Sequence, residues 1–491
     1  MGLVSGAFLA VLILVLAGGP AVAADAQGTV AGEPPARAAA PESWLDLAER
    51  LDSKRSAADV PAMSLVLFDG GRPVLERAFG SATLDTPFRW GSITKSFTGL
   101  AALALMEESR LTLETPVDAV LKNRYYDNPW AATAPLTVAH LLALTAGLTD
   151  LSSAEWNDNR PYSLSDALDR FAPARRMQWP PGLQHSYSNA PPGLMAAVIE
   201  AESGRSFEAY LDAAVFTPLA MAGASLEPVD GLPGGFKADG ISEIPYWHMT
   251  YRAFGALNAS TAAMTRFLTA LLNDGYVDGK AAIPAERLER FFKPLGSLGS
   301  AAGLEIGYGA GVYGWIARGQ RFDGHGGDAD GYRSRYGLLR KHGRAYLVVI
   351  NTDNPRLMGA FRREIESTLT ADLPSDPGPT PARDAQTRAA LATFAGSYYP
   401  ASTRFGAEAW RRGEGDRIHI EAHEDHLMVH RGEGRTRLNP HGQGRFSRPD
   451  DPAITAVFVR DRSGNLYLQG ELGNFVSLSA PPCPDFLERC D

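Results

Sequence analysis

Ser92-Ile93-Thr94-Lys95 sets a hydroxyl and a primary amine three residues apart. On a helix such residues share a face, so the amine can reach the hydroxyl. The run that follows, Ser96-Phe97-Thr98-Gly99-Leu100-Ala101-Ala102-Leu103-Ala104-Leu105-Met106, reads as a mostly apolar, buried helix. An amine takes a serine proton at neutral pH only after losing its own. Its pKa must therefore fall from about 10.4 by roughly 3, a change that burial and neighbouring charge can produce. Ser92 would then act as a nucleophile that forms an acyl-enzyme, with Lys95 as its base or proton shuttle. Taken alone the tetrapeptide arises by chance in many chains, and the bland reading is a buried lysine paired structurally with its neighbours.

Two downstream segments add to it. Pro180-Pro181-Gly182-Leu183-Gln184-His185-Ser186-Tyr187-Ser188-Asn189 precedes an apolar helix through Val198 and Ile199. Phe322-Asp323-Gly324-His325-Gly326-Gly327-Asp328-Ala329-Asp330-Gly331-Tyr332 precedes strand-like Tyr346-Leu347-Val348-Val349-Ile350. The order Ser-x-x-Lys, Tyr-x-Asn, His-x-Gly resembles the serine β-lactamase and penicillin-binding protein superfamily. It is most similar to the class C-like branch of β-lactamases, D-alanyl-D-alanine carboxypeptidases, D-aminopeptidases and esterases, which carries Tyr-x-Asn where class A enzymes carry Ser-Asp-Asn. The resemblance covers roughly residues 40 to 372. Within it, Thr137-Val138-Ala139-His140-Leu141-Leu142-Ala143-Leu144-Thr145-Ala146-Gly147-Leu148 looks like the helix after the first motif. Phe216-Thr217-Pro218-Leu219-Ala220-Met221 resembles the Pro-Leu-Gly-Met turn.

The resemblance implies roles. Tyr187 faces the Ser92–Lys95 pair and passes a proton to the leaving group, which a phenol does only if adjacent cations favour its ionised form. Asn189 hydrogen-bonds Lys95 and the substrate amide. His325 replaces the lysine of the commoner Lys-Thr-Gly motif; it is expected to hydrogen-bond Tyr187 or a substrate carboxylate, with a charge that varies near neutral pH. Gly326 and Gly327 let an edge strand approach the substrate. The amides of Ser92 and Asp328 form the oxyanion hole, where losing one donor costs about 10²–10³ in rate. Asp328, with Asp330, Arg333 and Arg335 around it, reads either as recognition of a charged substrate terminus or as ion pairs on a strand turn.

The implied activity is hydrolysis by an exported enzyme of a peptide amide of the D-amino type or a carboxylic ester. The alternatives are a class C-like β-lactamase and a non-catalytic protein that binds peptidoglycan-like ligands or penicillin. The expected partner is a small-molecule or peptide substrate, with no cofactor and no metal. His325 for lysine, and the negative charge of Asp328, favour a neutral ester or a peptide bearing a free ammonium over an anionic lactam. Arg333 and Arg335 would counter that preference if they reach the substrate.

Composition excludes other classes. The net charge of −9 is spread without a basic block, which disfavours nucleic acid. No Gly-x-Ser-x-Gly elbow, P-loop or paired-cysteine zinc site occurs. Residues 1–24 carry no charge; an apolar Phe8–Leu16 core, a Gly18-Gly19-Pro20 break and Ala21-Val22-Ala23 predict a signal peptide. The expected location is periplasmic or secreted, with no stable membrane insertion after cleavage; an uncleaved anchor is the other reading. Cys483 and Cys490 either close a small loop in an oxidising compartment or remain free thiols.

The expected fold class is α/β: a β-lactamase-like antiparallel sheet with flanking helices and a helical subdomain, then a C-terminal antiparallel β-barrel. A leader spans 25–41, the first domain 42–372, a Pro-rich linker 373–384 and a lipocalin-like barrel domain 385–491. Few contacts are expected across such a linker. Five of the ten histidines fall between His419 and His441, and His423-Glu424-Asp425-His426 misses the His-Glu-x-x-His zinc spacing by one residue. His419 belongs on the face opposite Ile418 and Ile420, exposed to solvent.

Overall fold

The computed structural model describes residues 40–109, 111–122, 124–401, 404 and 417–477. The signal segment, nearly all of the leader, and Cys483 and Cys490 lie outside these residues. Helix α1 (Glu42–Ala57) leads into a hairpin of β1 (Ala62–Asp69) and β2 (Arg72–Gly80), turned by Gly70 and Gly71, both at positive φ. After the helical middle come β3 (Tyr313–Ala317), β4 (Gln320–Ala329), β5 (Tyr332–Leu339) and β6 (Arg344–Ile350). The six form one antiparallel sheet in the order β2-β1-β6-β5-β4-β3, with Met63 opposite Ile350 and Phe68 opposite Ala345.

Both faces of that sheet are covered, so its central strands read as continuous apolar runs rather than alternating ones. Leu65, Leu67, Tyr346, Val348 and Ile350 pack against α1 and the later helix Pro355–Leu369. Val66, Phe68, Leu347 and Val349 face the helical middle. There, helix α2 (Thr94–Glu108) is buried from Thr94 to Leu105. A helix buried all round must satisfy its polar side chains internally. Thr94 Oγ1 donates to Gly91 O at 2.7 Å, Ser96 Oγ to Gly311 O at 2.6 Å and Thr98 Oγ1 to Ala253 O at 2.7 Å.

One local expectation changes and another holds. Of the segment 137–148 only Val138–Leu142 is helical. Leu144 turns to φ +55, and its carbonyl accepts from the Ser186 amide at 3.0 Å while Gly147 O accepts from Gln178 N at 2.7 Å. Pairing with the Tyr-x-Asn loop replaces the next helical turn. In the turn resembling Pro-Leu-Gly-Met, Ala220 sits at φ +50, the conformation that suits glycine.

The C-terminal strands are β7 (Gly396–Pro400), β8 (Ile418–Ala422), β9 (Leu427–Arg431), β10 (Gly434–Pro440), β11 (Arg445–Ser447), β12 (Ala456–Arg460), β13 (Leu466–Gly470) and β14 (Gly473–Ser477). Each pairs with the next, and β14 pairs with β7 to close an eight-stranded barrel, leaving no open edge. Its interior holds Tyr398, Ile418, Ile420, Leu427, Leu438, Phe446 and Leu468, while His419 points outward. Residues expected to start the barrel instead form a helix, Ala385–Leu391, which sends Leu391 into the barrel core. His423 and His426 stack at 4.5 Å, and no group of three His, Cys, Asp or Glu suited to a metal occurs among the described residues.

Contacts across the linker are more numerous than its composition suggests. Gln469 Nε2 donates to Leu183 O at 2.7 Å, its Oε1 accepts from Gly299 N at 2.7 Å, and Asn474 Nδ2 donates to His185 O at 2.9 Å. The linker does not hold the two parts at a distance. Pro374 O accepts from Gln320 at one end, and Ala382 N donates to Pro440 O at the other.

Candidate active site

Ser92 lies in the single 3₁₀ turn Gly91–Ile93, and Lys95 in the first turn of α2. What fixes this turn is the approach of β4. Gly91 sits at φ +54, and a Cβ there would lie 2.6 Å from the Asp328 amide nitrogen; a Cβ on Gly327 would lie 1.8 Å from Trp90 O. The two glycines therefore let the Trp90–Ser92 backbone rest directly on Gly327–Asp328. These contacts give Gly326 and Gly327 a role beyond the one expected of them. Gly327 admits the nucleophile's own segment, and Gly326 admits the Arg335 guanidinium, 2.8 Å from where its Cβ would be. Beyond Gly324, opposite Tyr313, β4 loses β3 as a partner, so His325–Ala329 forms a free edge beside Ser92.

Lys95 Nζ lies 3.0 Å from Ser92 Oγ, 2.6 Å from Asn189 Oδ1 and 2.9 Å from Phe254 O. Two of those partners, the amide and peptide oxygens, can only accept. A neutral amine gives them its two N–H groups and turns its lone pair to the Ser92 hydroxyl. Burial brings the Lys95 pKa down to about 7, against a smaller upward pull from Asp150. For any Ser92-dependent reaction we expect kcat/KM to rise with pH through about 7, as Lys95 loses its proton. A profile flat from pH 5 to 9 on the order of a twofold spread would remove Lys95 from the role.

Tyr187 and Asn189 come from the loop ahead of the helix Ala190–Ser203, with Asn189 at its N-cap. Tyr187 hydrogen-bonds Ser92, and its ring stands 4.9 Å from Lys95 Nζ. Burial pushes its phenol well above the usual range, outweighing the opposite effect of Arg404 stacked 4.7 Å over the ring. Burial thus favours the protonated phenol, against the cation-favoured ionisation that the expected role calls for.

His325 also differs from expectation. Its Nε2 pairs with Tyr308 Oη at 2.8 Å and its Nδ1 with Gly326 O, while Tyr187 only packs beside its ring. Burial, with Lys95 nearby, lowers its pKa to about 3, so it is neutral near pH 7. Burial therefore keeps it uncharged through the range in which its charge was expected to vary. The acidic–basic cluster divides. Asp328 ion-pairs with Arg333 at 2.5 Å, and Arg333 also holds Asp353. Arg335 instead turns into the cleft, where its guanidinium donates to Tyr313 Oη at 3.2 Å.

The cleft holds about 470 Å³ and is walled by Trp156, Trp247, Phe254, Leu304, Ile306 and Tyr308. Ser92, Tyr187, Asn189, His325 and Asp328 converge on it, with Lys95 buried beneath. Sequence reasoning missed two contributors. Asp150, in an unremarkable loop, accepts from the Asn189 amide at 2.8 Å. Arg404, Gln469, Gly470, Glu471 and Asn474 of the barrel form one wall. No short-range pattern announces either.

The Beta-lactamase family profile matches residues 47–369. Penicillin-binding protein 4 of Amycolatopsis lactamdurans is 26% identical over 291 residues, 54% of this chain and 75% of that protein. Protein flp of Staphylococcus aureus strain MW2 is 29% identical over 173 residues, so the match spans only 34% of that relative and 33% of this chain. A beta-lactamase of Yersinia enterocolitica is 30% identical over 169 residues, 33% of this chain and 41% of that protein. Among solved structures, the octameric penicillin-binding protein homologue from Pyrococcus abyssi shares the fold at TM-score 0.55 and 20% identity, over 88% of this chain and all of that one (100%). SurE shares it at TM-score 0.55 and 22% identity, over 89% and 99%. The matched span contains the sheet and all three motifs that meet at Ser92, and on that match the chain belongs to the beta-lactamase family.

Proposed function

We propose that the protein is a serine hydrolase of the class C-like branch that cleaves a peptide amide of the D-amino type, or a carboxylic ester, through a Ser92 acyl-enzyme. The observation that carries this reading is the pair of carbonyl acceptors that orient a neutral Lys95 amine onto Ser92 Oγ. In this mechanism Lys95 takes the Ser92 proton as Oγ attacks the substrate carbonyl. The Ser92 and Asp328 amides receive the oxyanion, and Tyr187 hands its proton to the leaving group. Water then releases the acyl group by the reverse proton path. The charge-free apolar segment near the N-terminus supports action outside the cytoplasm, in the periplasm or after secretion.

Arg335 narrows the substrate. Neutral His325 offers no fixed cation, and the Asp328 charge is matched by Arg333, so the argument for a substrate ammonium falls. Arg335 makes no ion pair among the described residues and lines the cleft, which favours a peptide with a free carboxylate close to the scissile bond. Arg335→Ala should lower kcat/KM for a D-Ala-D-Ala peptide by at least about tenfold, the value of one hydrogen bond to a charged group. It should leave p-nitrophenyl acetate nearly unchanged. Equal losses on both substrates would defeat the assignment. Nitrocefin turnover above both would favour the β-lactamase alternative instead.

A further inference from the structure

Asp150 carries a carboxylate with no solvent exposure, bonded on one side to Asn189 and on the other to Arg404 of the barrel. Its Oδ1 accepts from the amides of Asn189 and Leu151, both at 2.8 Å. Its Oδ2 accepts from Asn189 Nδ2 at 3.3 Å and from Arg404 Nε at 2.7 Å. Arg404 lies between β7 and β8 of the barrel, and its own carbonyl accepts from the Asp150 amide at 2.7 Å. Asn189, held in this way, presents Oδ1 to Lys95 Nζ at 2.6 Å. A continuous series of bonds thus runs from the barrel through Asp150 and Asn189 to Lys95 and Ser92.

Resting on the hydrolase reading above, we propose that the C-terminal barrel completes the active site through Arg404, a positioning residue that neutralises buried Asp150 and so fixes Asn189 against Lys95. A buried carboxylate left alone would reach out to the next cation in a medium of low dielectric. Lys95, when protonated, is a cation one residue beyond Asn189 in this series. Asp150 draws Lys95 toward the protonated form and Arg404 opposes it. The remaining groups around the amine change little. Ser92, Asn189 and the Phe254 carbonyl are neutral, His325 is uncharged, Tyr187 keeps its proton, and Asp328 is matched by Arg333. Burial is the main cause of a neutral Lys95, and the Asp150–Arg404 pair is the charge balance that adjusts it.

The test uses the full-length chain and the pH dependence of Ser92 acylation, read as the p-nitrophenyl acetate burst and as fluorophosphonate labelling. Removing the Arg404 charge leaves Asp150 to favour the ammonium, so Arg404→Gln should move the midpoint up from about 7 by about one pH unit. Asp150→Asn should move it down, and the double variant should return to within about 0.3 of wild type. Arg404→Lys, which keeps the charge, should stay near the wild-type midpoint even if Asp150→Asn does not fold. A uniformly slower Arg404→Gln with an unmoved midpoint would make Arg404 only a structural contact and overturn the proposal. Absence of labelling in the wild type at every pH is a different result; it would remove the hydrolase reading, and the proposal with it.

Discussion

Ser92→Ala is expected to abolish turnover of every substrate, with a loss on the order of 10⁴–10⁶ in rate, while the protein melts as the wild type does. The two halves of this expectation have separate causes. The rate falls because Ser92 Oγ is the atom on which Lys95 and Tyr187 converge, and its removal leaves the acyl group without its acceptor. Stability persists because a small hydroxyl at the cleft surface contributes only its hydrogen bonds, and the turn is held by Gly91 against Asp328. Lys95→Ala should match the rate loss but also leave Asn189 Oδ1 and Phe254 O without a donor, at a cost of about 1–3 kcal/mol for each group left unpaired. Tyr187→Phe should lose less than either, since water can replace a proton donor. Intact-mass detection of a fluorophosphonate adduct on the wild type but not on Ser92→Ala, beside parallel melting curves, checks both halves. Residual activity within about tenfold of wild type would sink the nucleophile assignment.

A chain ending at Leu373 should fold yet acylate Ser92 at least about tenfold more slowly. Folding is expected because the two apolar cores of the sheet-and-helix unit contain no barrel residue, and the barrel core contains none from that unit. The rate should fall because the truncation removes Arg404, Gln469 and Asn474 together. Asp150 then has no cation, and the carbonyls of Leu183 and His185 lose their donors in the loop that carries Tyr187. One unpaired group of about 1.4 kcal/mol already accounts for a factor of ten. Cooperative melting with slow acylation is the predicted pair of results. Aggregation of the shortened chain would mean that the barrel supports the fold itself, and full activity would mean that its wall is dispensable.

Short-range patterns carried much of this protein. Ser92 and Lys95 are three residues apart, so helical geometry alone brings them together. The hairpin of β1 and β2, the final apolar strand and the barrel hairpin around Asp461–Asn465 are each written in neighbouring residues. Alternation likewise placed His419 outside the barrel. Tertiary structure decided what lies far apart along the chain or depends on surroundings. Asp150 and Arg404 are 254 residues apart, a distance that no period encodes. The charge of His325 was set by the wall that closes over it, not by the ring itself. Arg333 and Arg335 are two residues apart on one strand, yet one is consumed by Asp328 and Asp353 while the other opens on the cleft. Sequence singled out Ser92, Lys95, Tyr187 and Asn189 because their motifs are local; only the folded chain brought in their supports and surroundings, because electrostatics and burial are properties of the whole neighbourhood.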